Sequence, residues 1–201
     1  RPIRVTDWMT FSPLAGARIT HYENQESAIG DLLNGADSLT RDLYEVGFDL
    51  EARAHAVYPT LNKTWGVDGL RHLVRPVMRY RYYSEPDDGD EIVAIEREVF
   101  DTNRPMLDLS DLRHTDEIAQ QHLVRLGVEN IYQTQASGGA YGSRDLAELN
   151  FYQDILLERG QRANNPEEKQ ETFHATWIEF ILSPAAWLRF DMATRLRTEE
   201  L

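Results

Sequence analysis

The stretch YEVGFDLEARAHAVY, from Tyr44 to Tyr58, decides the fold predicted for this chain. Every even-numbered position in it is apolar, and the odd-numbered positions between them are mostly polar or charged. Side chains alternate between the two faces of a β-strand, so this pattern predicts one long strand with an apolar and a polar face. Strands of soluble proteins usually have about 5–6 residues, whereas a membrane-spanning strand needs about 9–11. The length therefore indicates a strand that crosses a membrane.

A second strand with the same alternation is predicted at Leu70–Tyr83. Its apolar and aromatic positions share one face with His72, and four arginines occupy the other face. Pro76 lies in the middle of this strand. Because proline has no N–H to donate to a ladder, it predicts a sheet edge or a bulge at that point.

Five further strands are predicted from weaker alternation: Leu14–Tyr22, Ile118–Gln135, Asp145–Arg159, Glu171–Leu182 and Ala186–Arg197. The dipeptides Ser12-Pro13 and Ser183-Pro184 are typical turn signals. The segments around them, WMTFSPLAGARI and WIEFILSPAAWLRF, resemble each other. Each segment is predicted to form a strand, a tight turn at the Ser-Pro pair and a second strand.

Shorter and longer connections alternate along the chain, and this rhythm is typical of outer-membrane barrels with short periplasmic turns and long external loops. The predicted fold class is therefore all-β, an antiparallel up-and-down transmembrane β-barrel. About eight strands are expected, which suffices for a small barrel or for an arc of a larger one. Residues 1–201 are predicted to be a single segment of such a barrel.

Composition excludes several other classes of protein. The formal net charge of -13 at pH 7 argues against binding nucleic acid or anionic lipid through bulk charge. The absence of cysteine excludes a disulfide, a zinc-thiolate site and a thiol nucleophile within this sequence. No apolar run is long enough for a transmembrane helix. The start at Arg1, without an apolar signal segment, indicates a piece of a larger protein.

Two segments carry a resemblance to a known family: HLVRPVMRYRYYSEPDD, from His72 to Asp88, and VFDT, from Val99 to Thr102. They resemble the barrel domain of the LPS-assembly protein LptD, also named organic solvent tolerance protein. In that family a His or Gln, a Pro and a Tyr-x-Tyr pair lead into an acidic loop and a Phe-Asp-Thr/Ser motif. The matching residues here are His72, Pro76, Tyr80, Tyr82, Phe100, Asp101 and Thr102. The family usually continues with Arg-Phe-Ser-Gly and Asp-Arg-Ile, and Leu109–Ile118 departs from this by keeping only Asp116 and Ile118.

The resemblance implies a translocon in the cell outer membrane that inserts lipopolysaccharide, or a related glycolipid, into the outer leaflet. Its implied partners are outer-membrane lipid, a plug lipoprotein of the LptE type and the periplasmic lipid-bridge proteins. The family's periplasmic jellyroll would lie outside this chain. Transport of this kind needs no covalent step, so no enzyme activity, catalytic residue, metal or cofactor is expected.

The predicted site residues form two sets, one on each face of the two strands. The polar set, expected to face the barrel lumen, is Arg71, Arg75, Arg79, Arg81, Glu45, Asp49, Glu51 and Arg53. The apolar set, expected to face lipid, is Tyr44, Val46, Phe48, Leu50, Tyr58, Met78, Tyr80 and Tyr82. The arginines could bind phosphates of a glycolipid, since guanidinium groups suit phosphate oxygens. Alternatively, the arginines could form ordinary cross-strand ion pairs with the three acidic residues. Ion pairing is the favoured interpretation, because barrel interiors are polar whatever the cargo.

Acidic residues are concentrated in the connection 84–117, which could bind divalent cations but matches no known calcium loop. A solvated loop is the favoured interpretation. His114 with Asp111, Asp116 and Glu117 could form a metal or acid–base cluster, but no second histidine lies at ligand spacing. No nucleophile elbow, phosphate loop or dinucleotide-binding turn is present.

Two other functions stay open at this point. A generic outer-membrane or porin-like channel shares every argument from composition and strand length. A soluble β-sandwich that binds carbohydrate or protein would have shorter strands, with the apolar faces of two sheets packed together.

Overall fold

The computed structural model describes residues 1–23, 38–84, 102, 104, 107, 109, 121–135, 142–158, 173–185 and 187–197. These residues form nine β-strands and no helix. The strands are β1 (Ile3–Thr6), β2 (Met9–Glu23), β3 (Ser38–Ala52), β4 (Ala54–Asn62), β5 (Val67–Tyr83), β6 (Gln121–Gln135), β7 (Ser143–Glu158), β8 (Phe173–Ala185) and β9 (Leu188–Arg197). Accordingly, this part of the chain holds no helix long and apolar enough to cross a membrane.

All nine strands belong to one antiparallel sheet with the order β1-β2-β3-β5-β6-β7-β8-β9, and β4 pairs with β5. Neighbours in the sheet are consecutive in the sequence except for β3 and β5, between which the chain continues from β3 into β4, and this is an up-and-down arrangement. The predicted all-β antiparallel fold is therefore confirmed, with nine strands instead of about eight. No pairing among the described residues joins β1 to β9, so the sheet is open and is not a closed barrel.

The stretch Tyr44–Tyr58 lies in two strands, β3 and β4, separated at Arg53. Both strands pair with β5 in one continuous register, so the alternation of faces passes through the break unchanged. The missing ladder pairs are those that would place Ala52 opposite Pro76 and Arg53 opposite Arg75. The register does not shift at this break, and Pro76 is also paired with Val128 of β6, so β5 is an interior strand at this point. The predicted sheet edge or bulge at Pro76 is therefore wrong. The ladder loses only the pairs beside the proline, which has no N–H to donate.

The two predicted Ser-Pro turns are wrong. Ser12 and Pro13 lie inside β2, paired with Asp49 and Phe48, and the hairpin turn falls earlier, between β1 and β2. Pro13 lies past the paired part of β1, where β2 has a free edge, and an edge position tolerates the missing N–H.

Near the other end of the chain, Ser183 and Pro184 lie inside β8, and the turn follows between β8 and β9. The register of β8 with β9 shifts between Leu182 and Ala185. The proline is therefore accommodated at an irregularity of the ladder, and the chain reverses only after it.

The two faces of the sheet differ in polarity and in burial. On the outer face, apolar side chains such as Ile19, Val46 and Phe190 are exposed by 73%, 56% and 57%. On the inner face, charged residues such as Arg125 and Asp154 are 0% and 3% exposed. Among the described residues, the inner face is therefore the more deeply buried of the two.

Arg144 of β7 links two connections at the end of the sheet that carries the short turns. Its guanidinium donates to the carbonyl oxygens of Trp65 and Gly66 in the β4–β5 turn. It also donates to those of Ser183 and Pro184 in β8, at 3.1 and 3.2 Å. One side chain thus joins the β4–β5 turn to the end of β8.

Candidate functional site on the inner face

The structure separates the two sets of predicted site residues. The outer face holds the whole apolar set: Tyr44, Val46, Phe48 and Leu50 in β3, Tyr58 in β4, and Met78, Tyr80 and Tyr82 in β5. The inner face holds Glu45, Asp49 and Glu51 of β3 together with Arg75, Arg79 and Arg81 of β5. Arg71 and Arg53 follow the same alternation, but Arg71 is exposed and Arg53 lies at the strand break, with its side chain 59% exposed.

Arg81 is the centre of the first inner-face cluster. Its Nη1 lies 2.7 Å from Oδ1 of Asp49, and its Nε lies 3.4 Å from Oε1 of Glu45. The side chain is only 5% exposed, and its Nη1 also donates to the carbonyl oxygen of Phe48. Gly47 lies directly opposite Arg81, and a Cβ there would overlap the backbone and side chain of β5. Glycine at this position therefore makes room for the buried guanidinium.

A second cluster joins β5, β6 and β7. Arg75 forms an ion pair and a hydrogen bond with Glu129, whose side chain is 6% exposed. The other carboxylate oxygen of Glu129 accepts a hydrogen bond of 2.8 Å from the hydroxyl of Tyr152. The Tyr152 ring packs over Gly127, where a Cβ would overlap it. Sequence reasoning placed Glu129 on a polar strand face but did not assign it to a site, because pairing between distant strands sets its partners.

A third cluster is the most deeply buried. Arg125 donates from Nε and Nη2 to the two carboxylate oxygens of Asp154, at 2.6 and 2.7 Å. The indole N–H of Trp177 donates to the same carboxylate at 3.2 Å. The sequence signal for this cluster is only the alternation that puts Arg125 and Asp154 on the polar faces of β6 and β7, since the facing of the predicted strand that holds Trp177 is ambiguous.

Arg79 differs from the other inner-face arginines. It lies in the ladder between Asp49 of β3 and Arg125 of β6. Asp49 is held by Arg81, and Arg125 is held by Asp154. No acidic side chain of the described residues pairs with Arg79, which is half-buried. This guanidinium therefore remains available for an anionic group on the inner face.

Three residues of the connection between β5 and β6 also lie on the inner face: Arg104, Leu107 and Leu109. Leu107 is 8% exposed and packs in a cluster with Leu123 of β6 and Leu156 of β7. We call Arg104, Leu107 and Leu109 the strap. The acidic residues 85–91 and the predicted cluster of His114, Asp111, Asp116 and Glu117 lie outside the described residues, as do Phe100 and Asp101.

The outer face carries a row of aromatic rings across four strands. Phe11, Phe48 and Tyr80 follow one another with ring centroids 5.5 and 5.4 Å apart, and the hydroxyl of Tyr80 hydrogen-bonds His122. Trp8, Trp65 and Trp187 lie in three different turns and are 56%, 43% and 81% exposed. Trp65 and Trp187 lie at the same end of the sheet, whereas Trp8 lies beside Arg53, at the start of β4.

The inner face presents guanidinium groups, carboxylates and phenol, which can bind polar and anionic groups reversibly. Within the described ranges, no group of three or more histidine, aspartate or glutamate residues could hold a metal ion. A comparison with protein-family models finds no match, and no curated protein matches the chain. The resemblance to the LptD family therefore rests on its motif residues alone.

Proposed function

We propose that this chain forms part of an outer-membrane β-barrel of the LptD type, which moves lipopolysaccharide or a related glycolipid into the outer leaflet. The observation that carries the proposal is the inverted distribution of side chains, with apolar residues exposed on the outer face and charged residues buried on the inner face. A continuous apolar face of this size indicates an apolar partner, because soluble monomers rarely expose such a patch. Bilayer lipid is that partner.

Strand length supports a membrane environment. Apart from β1 and β4, the strands have 10 to 17 residues, which meets the length needed to cross the hydrocarbon core at a tilt. A soluble sandwich would need a second sheet against the apolar face, whereas the described residues form one sheet. The exposed tryptophans Trp65 and Trp187 fit the headgroup region at the periplasmic end, where barrels carry an aromatic girdle.

The open edges at β1 and β9 would continue into further strands of the same barrel. In a bilayer every backbone N–H and C=O must be paired, since an unpaired group in hydrocarbon costs several kcal/mol. The sheet is therefore proposed to be an arc of a larger barrel. A plug lipoprotein of the LptE type and periplasmic lipid-bridge proteins are proposed as its partners.

In the proposed mechanism the protein binds and guides the glycolipid, and no covalent bond forms. The polar part of the glycolipid moves along the inner face while its acyl chains are excluded from the buried charges. Arg79 offers a guanidinium to phosphate or carboxylate oxygens, since its charged neighbours are engaged elsewhere. A generic channel would share the apolar outer face but would show no preference for glycolipid.

Site-specific photo-crosslinking in the intact protein, in its own outer membrane, tests the cargo. A photoreactive side chain at Arg79 is expected to form an adduct with lipopolysaccharide during export. The matched control is Val46, which lies on the outer face and should yield adducts with bulk lipid only. Channel activity without any glycolipid adduct at Arg79 would reject the transport function in favour of a generic channel.

A further inference from the structure

β4 has one unpaired edge. It pairs with β5 along one side, and no other strand of the described residues pairs with it. β3 runs on into β4, but β2, which covers the edge of β3, begins only at Met9, opposite Ala52. Every residue of β4 is exposed. The N–H and C=O groups along this edge therefore form a template for a further strand.

The segment that precedes β2 turns away from this edge. β1 folds back as a hairpin onto the other side of β2, where the register shifts between Arg4 and Thr6. The backbone N–H of Arg53 nevertheless donates to the carbonyl oxygen of Trp8 at 2.8 Å. This bond carries the β2–β3 ladder one residue further towards β4, so the chain reverses only after it has come into line with the free edge.

The register of β2 with β3, continued without a shift, places residues 3–7 opposite residues 54–58. Met9 pairs with Ala52, so Val5 would lie opposite Ala56 and Ile3 opposite Tyr58. The next two residues to meet would be Pro2 and Pro59, and neither has an N–H to donate, so the ladder would end there. This pairing would be longer than the hairpin, in which only Ile3, Arg4 and Thr6 are paired with β2.

The side chains of the segment match the two faces of the sheet. Ile3 and Val5 are 52% and 51% exposed, and in this register they would join the apolar outer face beside Tyr58. Arg4 and Thr6 would join the polar inner face. The alternation that continues through β3 and β4 would then continue through β2 and the segment before it.

We propose that the free edge of β4 is a pairing site for residues 3–7, which exchange between the hairpin with β2 and a straight extension of β2 along β4. The register of the extension does not depend on the proposed function, whereas its preference in a membrane does, because lipid penalises every unpaired backbone group. The extension also frees the edge of β2 that β1 occupies, so that a further strand can pair there.

Asp7 opposes the extension. In the hairpin its side chain is fully exposed, and Nη1 of Arg4 lies 3.9 Å from its carboxylate. In the extension it would lie on the outer face opposite Ala54, where a carboxylate in contact with lipid is unfavourable. Asp7 thus keeps the two arrangements balanced and the exchange reversible.

Disulfide trapping in the intact protein, in outer-membrane vesicles, tests the exchange on a sequence without native cysteine. Val5→Cys with Ala56→Cys reports the extension. These residues would form a non-hydrogen-bonded pair with Cα atoms about 4.5 Å apart, which is within the range of a disulfide. Ile3→Cys with Phe11→Cys reports the hairpin, in which those two residues pair.

The matched control is Ala15→Cys with Val46→Cys, a pair of β2 and β3 that both arrangements keep. We expect the disulfide between positions 5 and 56 to form at a yield comparable to that of the control. A yield below about a tenth of the control's would overturn the exchange. That result would leave the transport function standing, because export does not enter this measurement.

Asp7→Asn gives a second measurement, which leaves the backbone unchanged. The uncharged side chain is expected to raise the rate of the disulfide that reports the extension, relative to the one that reports the hairpin, by at least about threefold. An unchanged ratio of the two rates would contradict the register that places Asp7 on the outer face.

Discussion

Arg125 and Asp154 face each other across β6 and β7 and form a bidentate ion pair, with bonds of 2.6 and 2.7 Å between side chains that are 1% and 4% exposed. Trp177 donates a third hydrogen bond to the same carboxylate. Breaking such a pair leaves a buried charge without a partner, which is far more costly than losing an exposed ion pair. This relationship places a paired charge in the buried inner face, beside apolar residues such as Tyr152 and Ala175.

Removing one partner of this pair should strongly destabilise the protein. Arg125→Leu or Asp154→Leu alone is expected to lower the free energy of unfolding by about 3–5 kcal/mol, because the remaining charge stays buried. The double variant should recover most of that loss. Denaturant titration of the intact protein in lipid vesicles measures all three values. If each single variant lowers the free energy of unfolding by no more than about 1 kcal/mol, the ion pair is exposed to water and is not buried.

Gly127 should be irreplaceable because of the ring that covers it. A Cβ there would overlap the Tyr152 ring and approach Val77 to 2.9 Å, so Gly127→Ala is expected to cost about 1–3 kcal/mol. In a Tyr152→Ala background the cost of Gly127→Ala should fall by more than half, since the main overlap has gone. Unfolding titrations of the wild type, Gly127→Ala, Tyr152→Ala and the double variant give the double-mutant cycle. Additive effects would show that the ring does not set the constraint.

Arg79 and Arg81 provide a matched pair on one face of one strand. Arg81→Gln should lower the free energy of unfolding by at least about 2 kcal/mol, because it leaves Glu45 and Asp49 without their buried partner. Arg79→Gln should change it by less than about 0.5 kcal/mol, since no described acidic group pairs with it. If Arg79→Gln proves the more damaging in the same titration, the assignment of Arg79 as an available guanidinium is wrong.

A lysine at the centre of the outer face separates a lipid from a water environment. Val128 lies mid-strand in β6 and is 40% exposed. If Val128 faces lipid, Val128→Lys should lower the free energy of unfolding by about 2–4 kcal/mol. If the position is exposed to water, the free energy of unfolding should change by about 0.5 kcal/mol or less. Asn62→Lys, at the end of β4 beside the turn, is the control and should be neutral. For both variants, the fraction of protein that folds into vesicles is measured from the shift in gel mobility of the unheated sample.

How far the sequence predicts this fold is clearest at Tyr44–Tyr58. Alternation alone fixes which side chains share a face, because the period of a strand is two, and the faces of β3, β4 and β5 follow it as far as Tyr58, after which the register of β4 with β5 shifts. The edge or bulge predicted at Pro76 is wrong, because the proline lies in an interior strand whose register does not shift there. The predicted Ser-Pro turns are wrong because strand pairing overrides the local turn propensity. Pro13 is tolerated in β2 past the paired part of β1, and Pro184 is tolerated in β8 where the register with β9 shifts.

The inner-face clusters could be predicted only in part. Sequence reasoning favoured ion pairs between the arginines of β5 and the acidic residues of β3 as two sets, and the structure shows which of them pair, with Arg81 beside Glu45 and Asp49. It did not pair Arg125 with Asp154, because the register of β6 against β7 depends on their turn and on two local shifts. The strap has no periodic signal, and tertiary contacts alone place Leu107 on the inner face.

Cysteine labelling of the two faces tests the membrane assignment most directly. Val46→Cys on the outer face and Arg79→Cys on the inner face would be made in the intact protein in outer-membrane vesicles, on a sequence without native cysteine. We expect Val46→Cys to react only with a lipid-soluble maleimide and Arg79→Cys only with a water-soluble one. Reaction of Val46→Cys with the water-soluble reagent, as fast as that of Arg79→Cys, would show that the outer face lies in water and that the sheet does not cross a membrane.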